Sequence, residues 1–175
     1  FQLVGNTTPK YYGGLQNTFG YKGIELSVLL NFAADYLVFN NSRPTYFASE
    51  GNNILQNNQM KPGSGQVIWE KPGDIATHPQ ALYNNPSNSN KASSRFLETG
   101  TYLKMRSITL GYNVPIERLH IANLRLYIAG ENLFTITHYS GVDPEIPPAN
   151  GAITGVATQV YPQTRKIVLG LNLTL

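Results

Sequence analysis

From Ile24 the even positions read Ile24, Leu26, Val28, Leu30, Phe32, Ala34 and Tyr36. The odd positions read Glu25, Ser27, Leu29, Asn31, Ala33 and Asp35. At the other end Ile167, Leu169, Leu171, Leu173 and Leu175 share one parity, and Lys166, Val168, Gly170, Asn172 and Thr174 share the other. A period of two sends successive side chains to opposite faces of an extended strand, whereas a helix needs a period near 3.6. Three further segments carry the pattern more weakly. Residues 11–21 place Tyr11, Leu15, Phe19 and Tyr21 on one parity, with Gln16 and Thr18 on the other. Residues 123–137 set Leu124, Leu126 and Ile128 against Asn123, Arg125 and Glu131. Residues 101–113 begin with Leu103 and Met105, then switch parity to Ile108, Leu110 and Tyr112, which predicts a β-bulge inside the strand.

The fold class is therefore all-β, with five long antiparallel strands near 11–21, 24–39, 101–113, 123–137 and 164–175. A soluble strand averages about 5–6 residues, and a strand that crosses a membrane at a tilt needs about 9–11. The connections alternate in length. Lys22-Gly23 and residues 114–122 are short, the latter with one helical turn expected over Pro115–Leu119, whereas 40–100 and 138–163 are long. Short turns on one side and long loops on the other describe a transmembrane β-barrel. Aromatic residues fall near the strand ends, Tyr21 and Tyr112 toward the short turns, Tyr36, Phe39, Phe134 and Tyr139 toward the long loops, where interfacial girdles belong. Five strands cannot close, since about eight are needed, and an open sheet edge is not tolerated in hydrocarbon. On the barrel reading the chain is part of something larger. Composition alone leaves a soluble β-sandwich binding module as the alternative.

Charged residues make up only 13% of the 175 residues, against about 25% in a typical soluble domain. The polarity comes instead from Asn, Gln, Ser, Thr, Gly and Tyr. Net charge is +3 from 13 basic and 10 acidic residues, too mild for a nucleic-acid footprint. With no cysteine, a disulfide framework, thiol catalysis and Cys-ligated zinc are excluded. No run of about 18 apolar residues exists to make a membrane helix. The chain opens at Phe1 without a signal-like segment, as a mature or partial product would. Residues 40–90 hold ten of the eighteen Asn, with Pro44, Pro62, Pro72, Pro79 and Pro86, and read as turn-rich irregular chain. A loop of that length is rare in a compact domain and points to a functional or externally packed segment.

Several separated motifs carry a family resemblance. The first runs Gly5-Asn6-Thr7-Thr8-Pro9-Lys10-Tyr11-Tyr12-Gly13-Gly14-Leu15-Gln16-Asn17-Thr18-Phe19 and continues through Tyr21-Lys22-Gly23. The second runs from Arg95-Phe96-Leu97-Glu98-Thr99-Gly100 to Arg106, followed by Ile108-Thr109-Leu110-Gly111-Tyr112. Then come Gly130-Glu131-Asn132-Leu133-Phe134, Tyr139-Ser140-Gly141-Val142-Asp143-Pro144-Glu145, and the close Gly170-Leu171-Asn172-Leu173-Thr174. In this order they resemble the C-terminal part of SusC/RagA-type TonB-dependent outer-membrane transporters, everywhere but in loop 40–94. The resemblance implies a plugged barrel of about 22 strands in the outer membrane of a Gram-negative, Bacteroidetes-type bacterium. It implies import of an oligosaccharide or peptide, a SusD-like surface lipoprotein as lid, and TonB acting on an N-terminal region not in this sequence. Loops 40–100 and 138–163 would be extracellular. Leu175 stands where the family usually ends in an aromatic residue.

No catalytic constellation stands out. His78, His120 and His138 lack ligand spacing and read as solvated loop residues, so no metal site and no cofactor are expected. Ser64 lacks a nucleophile-elbow pattern, and the ten acids show no pair placed for glycan hydrolysis, so an enzyme is not expected. Asp143 and Glu145 read as solvated turn carboxylates in preference to a cation site. The best candidates for ligand contact are Tyr46, Phe47, Trp69 and Tyr83 in the long loop, because sugar rings stack on aromatic faces and amides bond hydroxyls. Packing of that loop on itself or against a lid is the competing role. Arg125 and Glu131, on the polar parity, are expected to face the lumen, where they line a substrate path or pair with neighbouring residues.

Overall fold

The computed structural model describes residues 4–44, 65–80, 82, 85–115, 123–145, 155–157 and 161–174. The chain divides into two compact units. One comprises Thr8–Tyr36, Thr99–Tyr139 and Tyr161–Leu175 and holds the large sheet. Its strands are β1 (Tyr11–Tyr21), β2 (Ile24–Ala34), β5 (Tyr102–Val114), β6 (Asn123–Glu131), β7 (Thr135–Thr137) and β9 (Lys166–Thr174). They pair antiparallel in the order β1-β2-β5-β6-β9, with β7 continuing beside β5. The other unit comprises Phe1–Thr7, Leu37–Glu98 and Ser140–Val160. It holds β3 (Leu37–Asn40), β4 (Leu97–Thr99) and β8 (Val156–Ala157) in the order β4-β3-β8. The five long antiparallel strands expected from the alternation are thus present.

The register gives the large sheet two faces. Directly paired residues share a face. Ile24 pairs Tyr21 and Tyr112, Leu26 pairs Phe19 and Leu110, and Val28 pairs Ile108. Leu110 then pairs Ile128, which pairs Leu169, while Tyr112 pairs Leu126, which pairs Leu171. One face is therefore an apolar row that crosses β2, β5, β6 and β9. The opposite face carries Glu25, Ser27, Asn31, Thr109, Arg125, Glu131, Lys166 and Asn172. The apolar face stays uncovered: Leu169 is 78% exposed, Ile167 71% and Leu171 64%. Among the described residues β1 pairs only with β2 and β9 only with β6, so both outer edges present unpaired backbone groups.

Local chemistry sets where the strands begin and break. Lys22 (φ 47°) and Gly23 (φ 83°) both take positive φ, the pattern of the type I′ turn that suits the right-handed twist of a hairpin. Lys22 lays its ammonium over the Tyr21 ring, 5.3 Å from the centroid. The bulge expected between Met105 and Ile108 is found: Leu29 pairs Ser107 but Leu30 pairs Met105, so Arg106 is the extra residue. A second irregularity sits at the same height. Glu131 pairs Ser107 and Thr135 pairs Lys104, so the β6–β7 stretch also carries one residue more than β5 across it. Asn132 takes φ 52° there, a left-handed conformation that Asn tolerates better than most residues.

The second strand ends at Ala34 instead of running on to residue 39. Asp35 adopts φ 59° and turns the chain out of the large sheet. Its carboxylate pairs with the Lys10 ammonium at 2.6 Å, and its N–H donates to the Thr101 hydroxyl at 3.2 Å. Three aromatic residues expected in a girdle near the long loops are not exposed ones. Tyr36 and Tyr139 are buried, and Phe39 meets the fully buried Phe96 edge to face at 6.2 Å. Exposed aromatics at that end of the sheet are Tyr11, Tyr12 and Phe134. The helical turn expected over Pro115–Leu119 lies, beyond Pro115, outside the described residues, as does Leu175. Gly23→Ala should destabilise the β1–β2 hairpin by about 1 kcal/mol because the new Cβ opposes positive φ. Denaturant unfolding of the full-length protein, compared with Lys22→Gly, which should be close to neutral, measures this.

Candidate functional site

Two places gather the candidate side chains. The first is the polar face of the large sheet. Arg125 on β6 reaches across β5 to Glu25 on β2, with Nη2 donating to Oε1 at 2.9 Å. The two strands lie about 10 Å apart, twice the inter-strand spacing, so the side chain must lie flat over whatever β5 presents between them. That residue is Gly111, which pairs directly with Glu25. A Cβ there would come within 2.8 Å of Arg125 Nε and 2.9 Å of Nη2. The same device recurs one strand over, where the Tyr127 ring covers its direct partner Gly170 on β9. Glycines on this face let long side chains lie along the wall instead of standing up from it. Glu131 pairs with Lys166 at 3.5 Å, both half exposed or more. Both lumen candidates thus have ionic partners on their own sheet, the pairing role weighed above for Arg125 and Glu131. The Arg125 Nε is buried and has no hydrogen-bond partner among the described residues.

The second place is the described part of the long loop. Of the four aromatic candidates, Trp69 alone is described; Tyr46, Phe47 and Tyr83 lie outside the described residues. Trp69 lines an open recess of about 530 Å³ together with Asp74, Thr77, His78, Gln80 and Ser87. A tight turn forms one wall. Asp74 Oδ2 accepts from the backbone N–H groups of Glu70 (3.2 Å) and Lys71 (3.0 Å), and Gly73 takes φ 99°. Ile75, next to this turn, is 97% exposed. The Trp69 N–H donates to the His78 carbonyl at 2.8 Å, and the His78 N–H to that of Val67 at 3.0 Å.

His78 departs from the expectation of a solvated loop histidine, since it is only 4% exposed. Its Nδ1 sits 2.9 Å from the Thr77 hydroxyl, which also bonds the backbone of Val67. Burial holds its imidazole below the ordinary 6.5, and the Arg95 and Arg43 guanidinium groups lower it further by repelling a third cation. His138 is exposed, and His120 lies outside the described residues. Asp143 is buried and accepts from the Glu145 N–H at 2.9 Å, a turn built by its own carboxylate. Among the described residues no three His, Asp or Glu side chains come together to hold a metal ion.

No protein-family model matches the chain. It is 26% identical over 175 residues to TonB-dependent receptor P39 of Formosa agariphila, covering 97% of this chain and 16% of that protein. TonB-dependent receptor P3 of the same organism is 25% identical over 189 residues, covering 98% of this chain and 17% of its own length. This chain is homologous to TonB-dependent receptors. The receptor SusC of Bacteroides thetaiotaomicron is 29% identical over 85 residues, 46% of the chain and 8% of that protein. The RagAB peptide importer shares the fold in its closed-closed state (TM-score 0.77, 24% identity) and its open-open state (0.76, 23%), each over 99% of this chain and 18% of that one. The chain therefore spans less than a fifth of the proteins it matches. The relatives it matches in sequence are named receptors, and the fold of its large sheet is shared with the importer.

Two outcomes follow from the two places. The Glu25–Arg125 coupling should be about 0.2–1 kcal/mol in a double-mutant cycle, the range for partly exposed pairs, and should vanish in a Gly111→Ala background. Urea unfolding of the full-length protein with Glu25→Gln and Arg125→Gln supplies the cycle. For His78 the lowered proton affinity means that the unfolded segment binds a proton before the folded one does. Stability of the 67–78 segment is then full above pH 6.5 and declines as pH falls below it toward the depressed folded value. Hydrogen exchange at the Trp69 and His78 amides, corrected for intrinsic rates, should show this decline, and His78→Gln should remove it.

Proposed function

We propose that this chain is the C-terminal barrel segment of an outer-membrane importer of oligosaccharides or peptides. Its intact protein works with a SusD-like surface lipoprotein and is energised by TonB through an N-terminal region outside this sequence. The reading is of a transporter segment, not an enzyme. The observation that carries it is the two-faced sheet: an apolar row facing outward across β2, β5, β6 and β9, backed by a polar wall whose charges are paired in the sheet plane. The homology to TonB-dependent receptors and the fold shared with the RagAB peptide importer support it. Lys22-Gly23 and residues 114–122 are then periplasmic turns. Loops 40–100 and 138–163 are extracellular, with Trp69 the described aromatic candidate for substrate or lid contact.

A soluble β-sandwich module would need a second sheet over Leu169, Ile167 and Leu171, and these are the most exposed apolar positions of β9. It would also leave the β1 and β9 edges open to water with long flat ladders, a hazard soluble proteins avoid. In a barrel the same edges are closed by neighbouring strands.

Charge placement tests the reading. In the full-length protein Leu169→Arg should lose about 2–4 kcal/mol from the lipid face, while Asn172→Arg on the polar face should assemble nearly normally. Gly170→Arg is unsuitable as the control, because it must first displace the Tyr127 ring. The readout is heat-modifiable mobility of the folded barrel. Sidedness is read separately. Ile75→Cys, at the most exposed large hydrophobic side chain among the described residues, should react with an impermeant maleimide on intact cells, and Lys22→Cys only after the membrane is opened. Equal tolerance of the two arginines, or labelling of Lys22→Cys on intact cells, contradicts the reading.

A further inference from the structure

The motif Arg95 to Gly100 and the motif Tyr139 to Glu145 lie far apart in sequence and have no part in the barrel wall. In the unit that holds β3, β4 and β8 they meet through Glu98 and Ser140. Glu98 Oε1 accepts from Arg43 Nη1 at 3.0 Å, from Ser140 Oγ at 2.8 Å and from Asn40 Nδ2 at 3.3 Å. Its Oε2 accepts from the Ser140 backbone N–H at 2.7 Å. The side chain is 12% exposed. Asn40 is 1% exposed, and its Nδ2 also reaches Ser140 Oγ at 3.3 Å.

Acceptor and donors come from three different stretches. Asn40 and Arg43 begin the first long loop, Glu98 stands at its end, and Ser140 begins the second. The second loop returns to the same place. The Phe39 N–H donates to the Gly155 carbonyl at 2.7 Å and the Asn41 N–H to that of Ala157 at 3.0 Å, which docks β8 beside β3. Beneath the carboxylate Val38 and Phe96 are fully buried, and Arg43 also caps the Arg95 carbonyl at 3.4 Å. A carboxylate that receives one guanidinium, one amide, one hydroxyl and one backbone N–H has most of its acceptor sites filled from several segments at once. Removing it leaves those donors without their common acceptor, and each buried donor so orphaned costs stability.

We propose that Glu98 is a clasp that fastens the feet of both long loops into one cooperative body, so that loosening one foot loosens the other. The clasp positions the loops and leaves the barrel wall unaffected. If those loops face outward as proposed above, whatever binds one of them meets a surface whose shape the other helps to hold; that consequence rests on the import reading, whereas the coupling does not.

The test is hydrogen exchange of the purified full-length protein in detergent, which reads the coupling whatever the protein's orientation or cargo. Glu98→Ala should raise exchange in the 37–41, 96–99 and 155–157 segments together, by about tenfold or more for the loss of several charge-assisted bonds. Peptides from β1, β2 and the 107–114 half of β5 should stay within about twofold, as expected for an independent cooperative unit. Glu98→Gln, which keeps the shape and one acceptor, should show a smaller rise in the same three segments. Ser140→Ala, altered only on the second loop, should loosen residues 37–41 on the first, because coupling is reciprocal. Loosening confined to one foot, an equal rise across the large sheet, or no rise in any variant overturns the proposal. Failure of both Glu98 variants to assemble a barrel also overturns it, since it confines the role of Glu98 to the loops.

Discussion

Everything in the large sheet depends on register. Because side chains alternate with a period of two, slipping any ladder by one residue would carry Ile24, Leu26 and Val28 onto the face of Glu25 and Ser27. The same slip would break the reach of Arg125 over Gly111 to Glu25, which works only when the glycine stands opposite the glutamate. Register is held at the β1–β2 end by a two-residue turn with no slack. Toward the loops it is reset by the extra residue at Arg106 and again between Glu131 and Thr135. These irregularities sit at one level of the sheet and keep the apolar row in phase on both sides of the break: Leu30 meets Met105 and Phe32 meets Leu103 on the same face as Val28 and Ile108.

Much of this was legible in the sequence, because alternation, parity switches and a Lys-Gly pair between two alternating runs are local signals. The bulge followed from Met105 and Ile108 lying on opposite parities. The resemblance in the flanking motifs was legible for the same reason, being carried by short ordered runs. What the sequence could not show is which residues leave the sheet. Tyr36, Phe39 and Tyr139 fall where girdle aromatics should stand, yet Tyr36 and Tyr139 are buried and Phe39 is half-buried against Phe96, and after Asp35 the chain turns away through a left-handed conformation. An Asp with positive φ looks like any other Asp until its Lys10 and Thr101 partners are placed.

The candidate site was legible in chemistry more than in arrangement. Arg125 and Glu131 carry the polar parity, but their partners Glu25 and Lys166 are set by strand order, and β9 pairing β6 across a long connection is a non-local fact. His78 gave no sign of burial, since its neighbours Arg95 and Arg43 are distant in sequence. Glu98 was visible only as one letter of a motif. Its four donor groups come from two segments, around Asn40–Arg43 and at Ser140, that nothing local links to it. Among the aromatic candidates, Trp69 sits in a mainly apolar recess, with Ala76, Pro79 and Leu82, that also carries Asp74, Thr77 and Gln80, the setting in which a flat ring and a few polar groups can meet a ligand.

The two units also obey different physics. In the large sheet the apolar residues point outward and the ionic pairs lie on the polar wall, partly exposed, where an ion pair adds little stability. Order there comes from ladder hydrogen bonds, and in hydrocarbon each ladder bond left unmade costs several kcal/mol, in order-of-magnitude terms. On the import reading the open edges of β1 and β9 are therefore completed by neighbouring strands, and the sheet is stable as part of a closed wall. The unit of β3, β4 and β8 has short strands and, among the described residues, few fully buried apolar side chains. Its order comes from buried polar contacts, with Asn40 and Glu98 taking the place of a larger core around Val38 and Phe96. A surface held by polar contacts can vary its sequence widely between a few fixed fasteners. That fits a chain whose loops carry the turn-rich, Asn-rich stretch while the motifs at their feet keep the residues that bind them together.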